Sequence, residues 1–298
     1  MTRTFKGVVE NAGSRNIIVG MLWVVLAGLL FTGFTAIARH VGRDLPPIET
    51  AFLRYALGMV TLIPIFLRRG TSLLRTKHPV LHIARGTIHG VAVLLWFIAL
   101  AYIPLAEVMA LSFIAPIFVT IGAFLFLGER LRLRRIVAII AGLVGVLLIL
   151  RPGVAAIHPG AIAMLIAAPL FAASKLFTKR LARTEDGTTI VTYLNVCAAV
   201  TILIPALFVW RIPTWEELAW LTLAAMLATL SHLAVIRALK LIDLTVMQPA
   251  EFLQLIWANL LGFYIFSEQP SMWVFAGGIV IVASASYIAH REARQQQS

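Results

Sequence analysis

Four ionisable residues stand inside long apolar runs, where a charge is costly: Arg54, Arg85, Glu107 and Glu251. A charge at membrane depth usually faces a bundle interior or a wet cavity and finds a partner there. At about 1.5 Å of rise per residue, Arg54 and Glu107 lie at similar depths near one end of their runs, and Arg85 and Glu251 near the other. The expected pairings are therefore Arg54 with Glu107 and Arg85 with Glu251, serving as structural neutralisation or as a gate. The run around Arg85 also carries His82, His89 and Trp96, at successive spacings of 3, 4 and 7. At about 100° per residue these four share one narrow helix face. Gln248, Glu251, Gln254 and Asn259 make a second polar face. Such stripes either hydrogen-bond neighbouring helices or line a cavity. In a cavity, Glu251 would suit an ammonium and His89 or Arg85 a carboxylate, while Trp96, Phe31 and Phe171 would hold an apolar side chain. His232, beside Ser231, is a further candidate for contact with cargo. Glu251 or His89 could also take up a proton. Pro116, Pro169 and Pro249 interrupt apolar runs and are candidate hinges or kinks.

Catalytic signatures are missing from the sequence: it has no His-Glu-x-x-His, no Gly-x-Ser-x-Gly, no acidic pair at metal-ligand spacing and no Gly-rich phosphate loop. Neither an enzyme, a bound metal nor a cofactor is expected. The single cysteine, Cys197, excludes an internal disulfide and reads as small apolar filler.

The elements that must position these side chains follow from composition. Hydrophobic residues make up 60% of the 298 and charged residues 13%, and mean hydropathy is +0.93; no soluble core hides that much apolar surface. Ten stretches reach the roughly 20 residues that cross a bilayer, near 17–39, 50–67, 79–102, 104–127, 135–151, 160–180, 189–210, 217–239, 244–267 and 270–290. Their lack of two-residue alternation excludes barrel strands. The expected architecture is all-α and integral to the lipid bilayer, with tails at 1–16 and 291–298. A net charge of +12 raises the question of nucleic acid, but the basic residues form short clusters between apolar runs and no basic stripe, so no nucleic-acid partner is expected. Nineteen of the 25 Lys and Arg residues, Lys175 and Lys179 among them, fall on one side of a ten-span arrangement. The rule that positive loops stay inside then makes both termini cytoplasmic.

The chain also repeats itself. At an offset of 139, the stretch starting at Ala99 aligns with the one starting at Ala238, and Glu129 falls on Glu268. At 140, Gly20 falls on Gly160 and Leu30-Phe31 on Leu170-Phe171. Two five-helix units, 17–151 and 160–290, follow, and because five is odd the second is inverted, the symmetry that alternating access uses.

The stretch Ala99–Pro116, AL-x-YIPLAE-x-x-AL-x-F-x-AP, followed by LGERL at Leu127–Leu131, resembles the EamA branch of the drug/metabolite transporter superfamily. Phe52–Arg54 and Arg85-Gly86 are similar to it too, whereas the second copy departs, with Ile242-Asp243-Leu244 and Phe-Ser-Glu-Gln before the last span. The resemblance implies ten helices as two five-helix repeats and a secondary carrier for amino acids or similar small metabolites, often an exporter, in a bacterial inner membrane. Uptake of another metabolite such as S-adenosylmethionine, a channel and a membrane-embedded enzyme are the alternatives.

Overall fold

The computed structural model describes residues 2–42, 44–112, 114–115, 117–118, 133–150, 157–242, 247, 251, 253–269 and 271–295. These form α1 (Thr2–Val41), α2 (Pro47–Arg69), a 3-10 turn (Gly70–Leu74), α3 (Pro79–Tyr102), α4 (Leu105–Ser112), α5 (Leu133–Leu150), α6 (Pro159–Ala182), α7 (Gly187–Leu207), α8 (Trp215–Leu241), α9 (Leu253–Phe266) and α10 (Met272–Gln295). Proline in the first turn of α2, α3 and α6 fixes φ where no amide bond is lost. Asp186 caps α7 through the Thr188 amide, and Thr214 with Glu217 closes a capping box on α8.

Among the described residues six stretches are long and apolar enough to cross a membrane: Asn16–Val41, Pro47–Arg68, Pro79–Tyr102, Pro159–Ala182, Gly187–Leu207 and Trp215–Leu241. Shorter apolar helices cover Ile140–Leu150, Ile256–Phe266 and Met272–Ser284. The protein is an integral membrane protein with several membrane-spanning helices. Of the other four spans expected, those near 104–127 and 244–267 lie partly outside the described residues. The outside of the bundle is apolar, with Leu22, Val60, Leu67 and Leu230 exposed, whereas its seams are lined by small residues such as Ala167, Ala168, Ala224 and Ala228, all fully buried. Lipid offers no hydrophobic drive for helix association, so close approach through small side chains takes its place.

Packing runs mainly between the parts of the chain before and after residues 151–156. Helix α1 lies against α8, α3 against α6, α5 against α10, α2 against both α7 and α8, α3 against α7, and α4 against α9. One end of the bundle holds the Gly70–Leu74 turn together with Arg75, Lys77, Lys179 and Arg183; it is called the basic end below. Arg39, Asp44, Tyr102 and Arg211 mark the opposite end.

Two of these seams are too tight for any side chain on a glycine. A Cβ on Gly277 of α10 would stand 2.4 Å from the Gly145 carbonyl oxygen of α5 and 2.6 Å from Ile149 Cγ1. A Cβ on Gly86 of α3 would stand 2.3 Å from Cys197 Cβ of α7. Gly277→Ala and Gly86→Ala should therefore each push a helix pair apart, at a cost of about 1–3 kcal/mol. Thermal unfolding of the purified protein reads the loss. Adding Cys197→Gly should restore most of it in Gly86→Ala and none of it in Gly277→Ala.

Candidate functional site

A cavity of about 250 Å³ lies between the two parts of the chain, and all eight residues selected from the sequence as cargo contacts line it: Phe31 from α1, Arg85, His89 and Trp96 from α3, Phe171 from α6, His232 from α8, Glu251 just ahead of α9 and Gln254 at its start. The stripe on α3 positions three of them because their spacing keeps them on the face turned towards α6 and α8. Its fourth member, His82, lies beyond the cavity at the basic end, where its ring stacks on Tyr193 at 4.5 Å. Asn259 does not line the cavity, and Gln248 lies outside the described residues.

Charge gathers towards the basic end. The Lys175 ammonium holds both oxygens of Glu251, at 2.5 and 2.7 Å. Arg85 donates through Nε to Thr178 Oγ1 at 2.6 Å and through Nη1 to the Ile190 carbonyl at 3.0 Å. In mid-cavity His89 Nδ1 and Ser174 Oγ are joined at 3.1 Å, and the His89 ring meets those of Phe171 and His232 at 5.4 and 5.6 Å. Ser231 also lines the cavity, and its hydroxyl donates to the Ala27 carbonyl of α1 at 2.8 Å. Towards the opposite end an aromatic wall closes the space: Trp96 stacks on Phe34 at 5.7 Å and meets Phe31 at 5.9 Å. At 1.5 Å per residue, the step from Arg85 to Trp96 separates the polar and aromatic ends by roughly 16 Å.

Both pairings expected from depth are replaced. Glu251 is paired with Lys175, and Arg85 with neutral acceptors. Arg54, on α2, makes no ion pair with Glu107: its guanidinium lies 3.9 Å from the Tyr55 ring centre and 5.5 Å from that of Phe34. Depth fixes one coordinate only, and the helix neighbours that decide pairing lie around the axis. Lys175, counted with the loop charges, is inside α6 and reaches the cavity along its apolar stem. The signal was there, since Phe171, Ser174, Lys175 and Thr178 recur at helical spacing and all line the site. Met109 and Ser112 of α4 also line it and were not selected. Of the candidate hinges, Pro169 lies within α6, while Pro116 and Pro249 are outside the described residues.

A second, larger cavity of about 520 Å³ opens at the opposite end beside Arg39, Asp44, Tyr102 and Arg211. Its cations are engaged: Arg39 with Glu268, and Arg211 with Glu217. Arg39 also donates to the carbonyls of Leu100 and Ile103 at 2.7 and 2.9 Å, and Glu268 accepts the Leu105 amide at 2.9 Å. These bonds tie α1, α3, α4 and the end of α9 together behind the aromatic wall. Of the two, the smaller cavity brings together the buried Arg85, His89 and Ser174 with the Lys175–Glu251 pair, and it is the candidate site.

The EamA-like transporter family model matches the chain in two stretches, residues 18–151 and 158–289. The chain is 30% identical to the riboflavin transporter of Rhizobium johnstonii, over 94% of each chain. It is 26% identical to the S-adenosylmethionine uptake transporter of Rickettsia bellii, over 92% of this chain and 94% of the relative. It is also 26% identical to the pseudopaline exporter of Pseudomonas aeruginosa, over 89% and 94%. A solved crystal structure 24% identical in sequence superposes with a TM-score of 0.64, covering 94% of this chain and 99% of its own, and so shares the fold.

Proposed function

Because the chain belongs to the EamA-like transporter family, a family of small-metabolite transporters, we propose that it is a secondary carrier working by alternating access around the central cavity. The observation that carries this reading is convergence: rings and charges from α1, α3, α6, α8 and α9, drawn from both parts of the chain, meet in one space closed at one end by an aromatic wall. An inverted pair of five-helix repeats is supported by the two stretches matched by one family model. Packing supports it as well: α1 on α8 is answered by α6 on α3, α2 on α8 by α7 on α3, and α5 meets α10 as α4 meets α9. Exchanging the two halves leaves this pattern unchanged, as a pseudo-twofold axis requires. The lopsided Lys and Arg distribution supports cytoplasmic termini in an inner membrane. Pro169 would let α6 bend.

Amino acids are the cargo class to test first, although the relatives' names differ from one another in cargo and direction. The Lys175–Glu251 pair would open to take a carboxylate on one side and an ammonium on the other, with Trp96, Phe31 and Phe171 against the side chain. Export is the direction proposed, with Glu251 or His89 as the site of any coupled proton.

Counterflow in proteoliposomes tests the carrier. Liposomes preloaded with unlabelled amino acid should transiently accumulate the labelled form, and Phe171→Ala should slow this by about tenfold, the loss of roughly 1.4 kcal/mol of ring contact. A channel gives no accumulation, and a screen that includes S-adenosylmethionine covers the uptake alternative. Imposing a pH gradient and reversing it gives the direction and the coupling.

A further inference from the structure

The candidate site holds more positive charge than it neutralises. Lys175 and Arg85 line the cavity, and Glu251 is the one carboxylate among the described residues that does so. Lys175 and Glu251 cancel. Arg85, only 3% exposed, gives its hydrogen bonds to the Thr178 hydroxyl and the Ile190 carbonyl, neither of which carries charge. One ring layer behind the wall lies Arg54, 2% exposed, its Nη1 lacking a hydrogen-bond partner among the described residues. Its guanidinium rests on Tyr55 and Phe34, and those rings pack on His89 and Trp96, both of which face the cavity. On the basic side Glu185 is engaged elsewhere, accepting from Thr76 Oγ1 at 2.8 Å and the Lys77 amide at 3.0 Å. Histidine protonation at His89 or His232 would only add to the excess.

A guanidinium buried in a membrane bundle without a countercharge is costly, and charges at that depth mark substrate or ion pathways. We infer that the cargo is an organic anion: a ring-bearing metabolite of net negative charge that supplies the countercharge missing from Arg85 and Arg54. This rests on the reading of the cavity as the transport site and shifts the preferred cargo from a zwitterionic amino acid, which binds more weakly, to an acid with carboxylate in excess. A zwitterion replacing the Lys175–Glu251 pair leaves the two guanidiniums as they were, whereas a carboxylate in excess of ammonium groups offsets them. Arg85 meets the anion at the cavity surface. Arg54 acts through the field across a low-dielectric layer of rings and is a specificity residue, not a contact.

The test is a charge series on one phenyl group: zwitterionic phenylalanine, the monoanion phenylpropionate, the dianion phenylsuccinate and the cation phenethylamine. Each is labelled and bound to the purified full-length chain in nanodiscs of neutral phosphatidylcholine. The anions should bind at least about tenfold more tightly than phenylalanine, a difference of about 1.4 kcal/mol, and the cation should not bind. Arg54→Gln should weaken the anions by about tenfold while changing phenylalanine less than about twofold, and Arg54→Lys should keep the preference. Ligand-free Arg54→Gln should melt at or above the wild-type temperature, because an orphan charge has gone; a structural Arg54 would make it melt lower. Should Arg54→Gln fail to fold, the role given to Arg54 falls, and the wild-type series decides the cargo's charge. Phenylalanine binding as tightly as the anions, or Arg54→Gln weakening all compounds alike, overturns the inference while leaving the cavity as the site. Binding by the whole series that is indifferent to Phe171→Ala, or no binding at all, removes the cavity reading and the inference with it.

Discussion

Replacing Lys175 with methionine should reduce transport by about thirtyfold to a hundredfold or more. The methionine matches the lysine stem in length and leaves the Glu251 carboxylate facing the cavity without its cation. Removing one partner of a fully buried pair costs about 3–5 kcal/mol. Here Lys175 is 28% and Glu251 16% exposed to the cavity, so about 2–3 kcal/mol is expected, a factor of about 30 to 150. The measurement is counterflow in proteoliposomes. Glu251→Gln placed on top should recover transport to within about tenfold of wild type if the penalty is the orphan carboxylate. No recovery would mean that each group contacts cargo in its own right. That second outcome would still leave Lys175 essential, and it would rule out a purely structural pair.

Breaking the Arg39–Glu268 pair should have an effect of similar size by a different route. This pair closes the bundle at the end remote from the basic loops, with Arg39 also holding the Leu100 and Ile103 carbonyls and Glu268 the Leu105 amide. Glu268→Ala removes an acceptor for both the guanidinium and an amide, four helix ends at once. Transport should fall by about tenfold to a hundredfold, corresponding to roughly 1.4–3 kcal/mol for a partly buried, charge-assisted network. The loss should come with a gain in access: a cysteine placed at Phe34, behind the wall, should react faster with a water-soluble thiol reagent from that side in Glu268→Ala than in the Glu268 background. Glu268→Gln, which keeps the amide contact and loses the charge, should fall between the two. Equal labelling in all three would show that the pair does not hold that end shut.

Much of the site was legible because helical periodicity survives in a membrane. His89 and Trp96 are one narrow stripe with Arg85, and Phe31, Phe171 and His232, named as aromatic or polar residues within other apolar runs, line the same cavity. Partners were not legible. The argument from depth put Arg85 with Glu251 and Arg54 with Glu107, yet Glu251 takes Lys175 and Arg54 takes two rings. A guanidinium accepts an aromatic face in place of a carboxylate, so a search for opposite charges alone misses it. Lys175 was hidden by its own length: its stem crosses an apolar face, and its charge reads as belonging to the basic cluster that follows it. His82 shares the α3 stripe and misses the cavity because the space ends before the helix does. The tight α5–α10 seam has no sequence signal beyond its glycines, since which glycine meets which is decided by the pairing of helices far apart in the chain.

Among the described residues, nearly every large helix contact joins a helix before residues 151–156 to one after them: α1 to α8, α3 to α6 and α7, α5 to α10, α2 to α7 and α8, α4 to α9. Cohesion therefore belongs to neither half. A first half emerging from the ribosome alone would have its cavity stripe, its orphan guanidiniums and its glycine faces turned to lipid, with few neighbours of its own to cover them. Assembly has to wait for α6 to α10. On this packing, neither part of the chain buries its own polar and glycine faces until the other arrives to cover them.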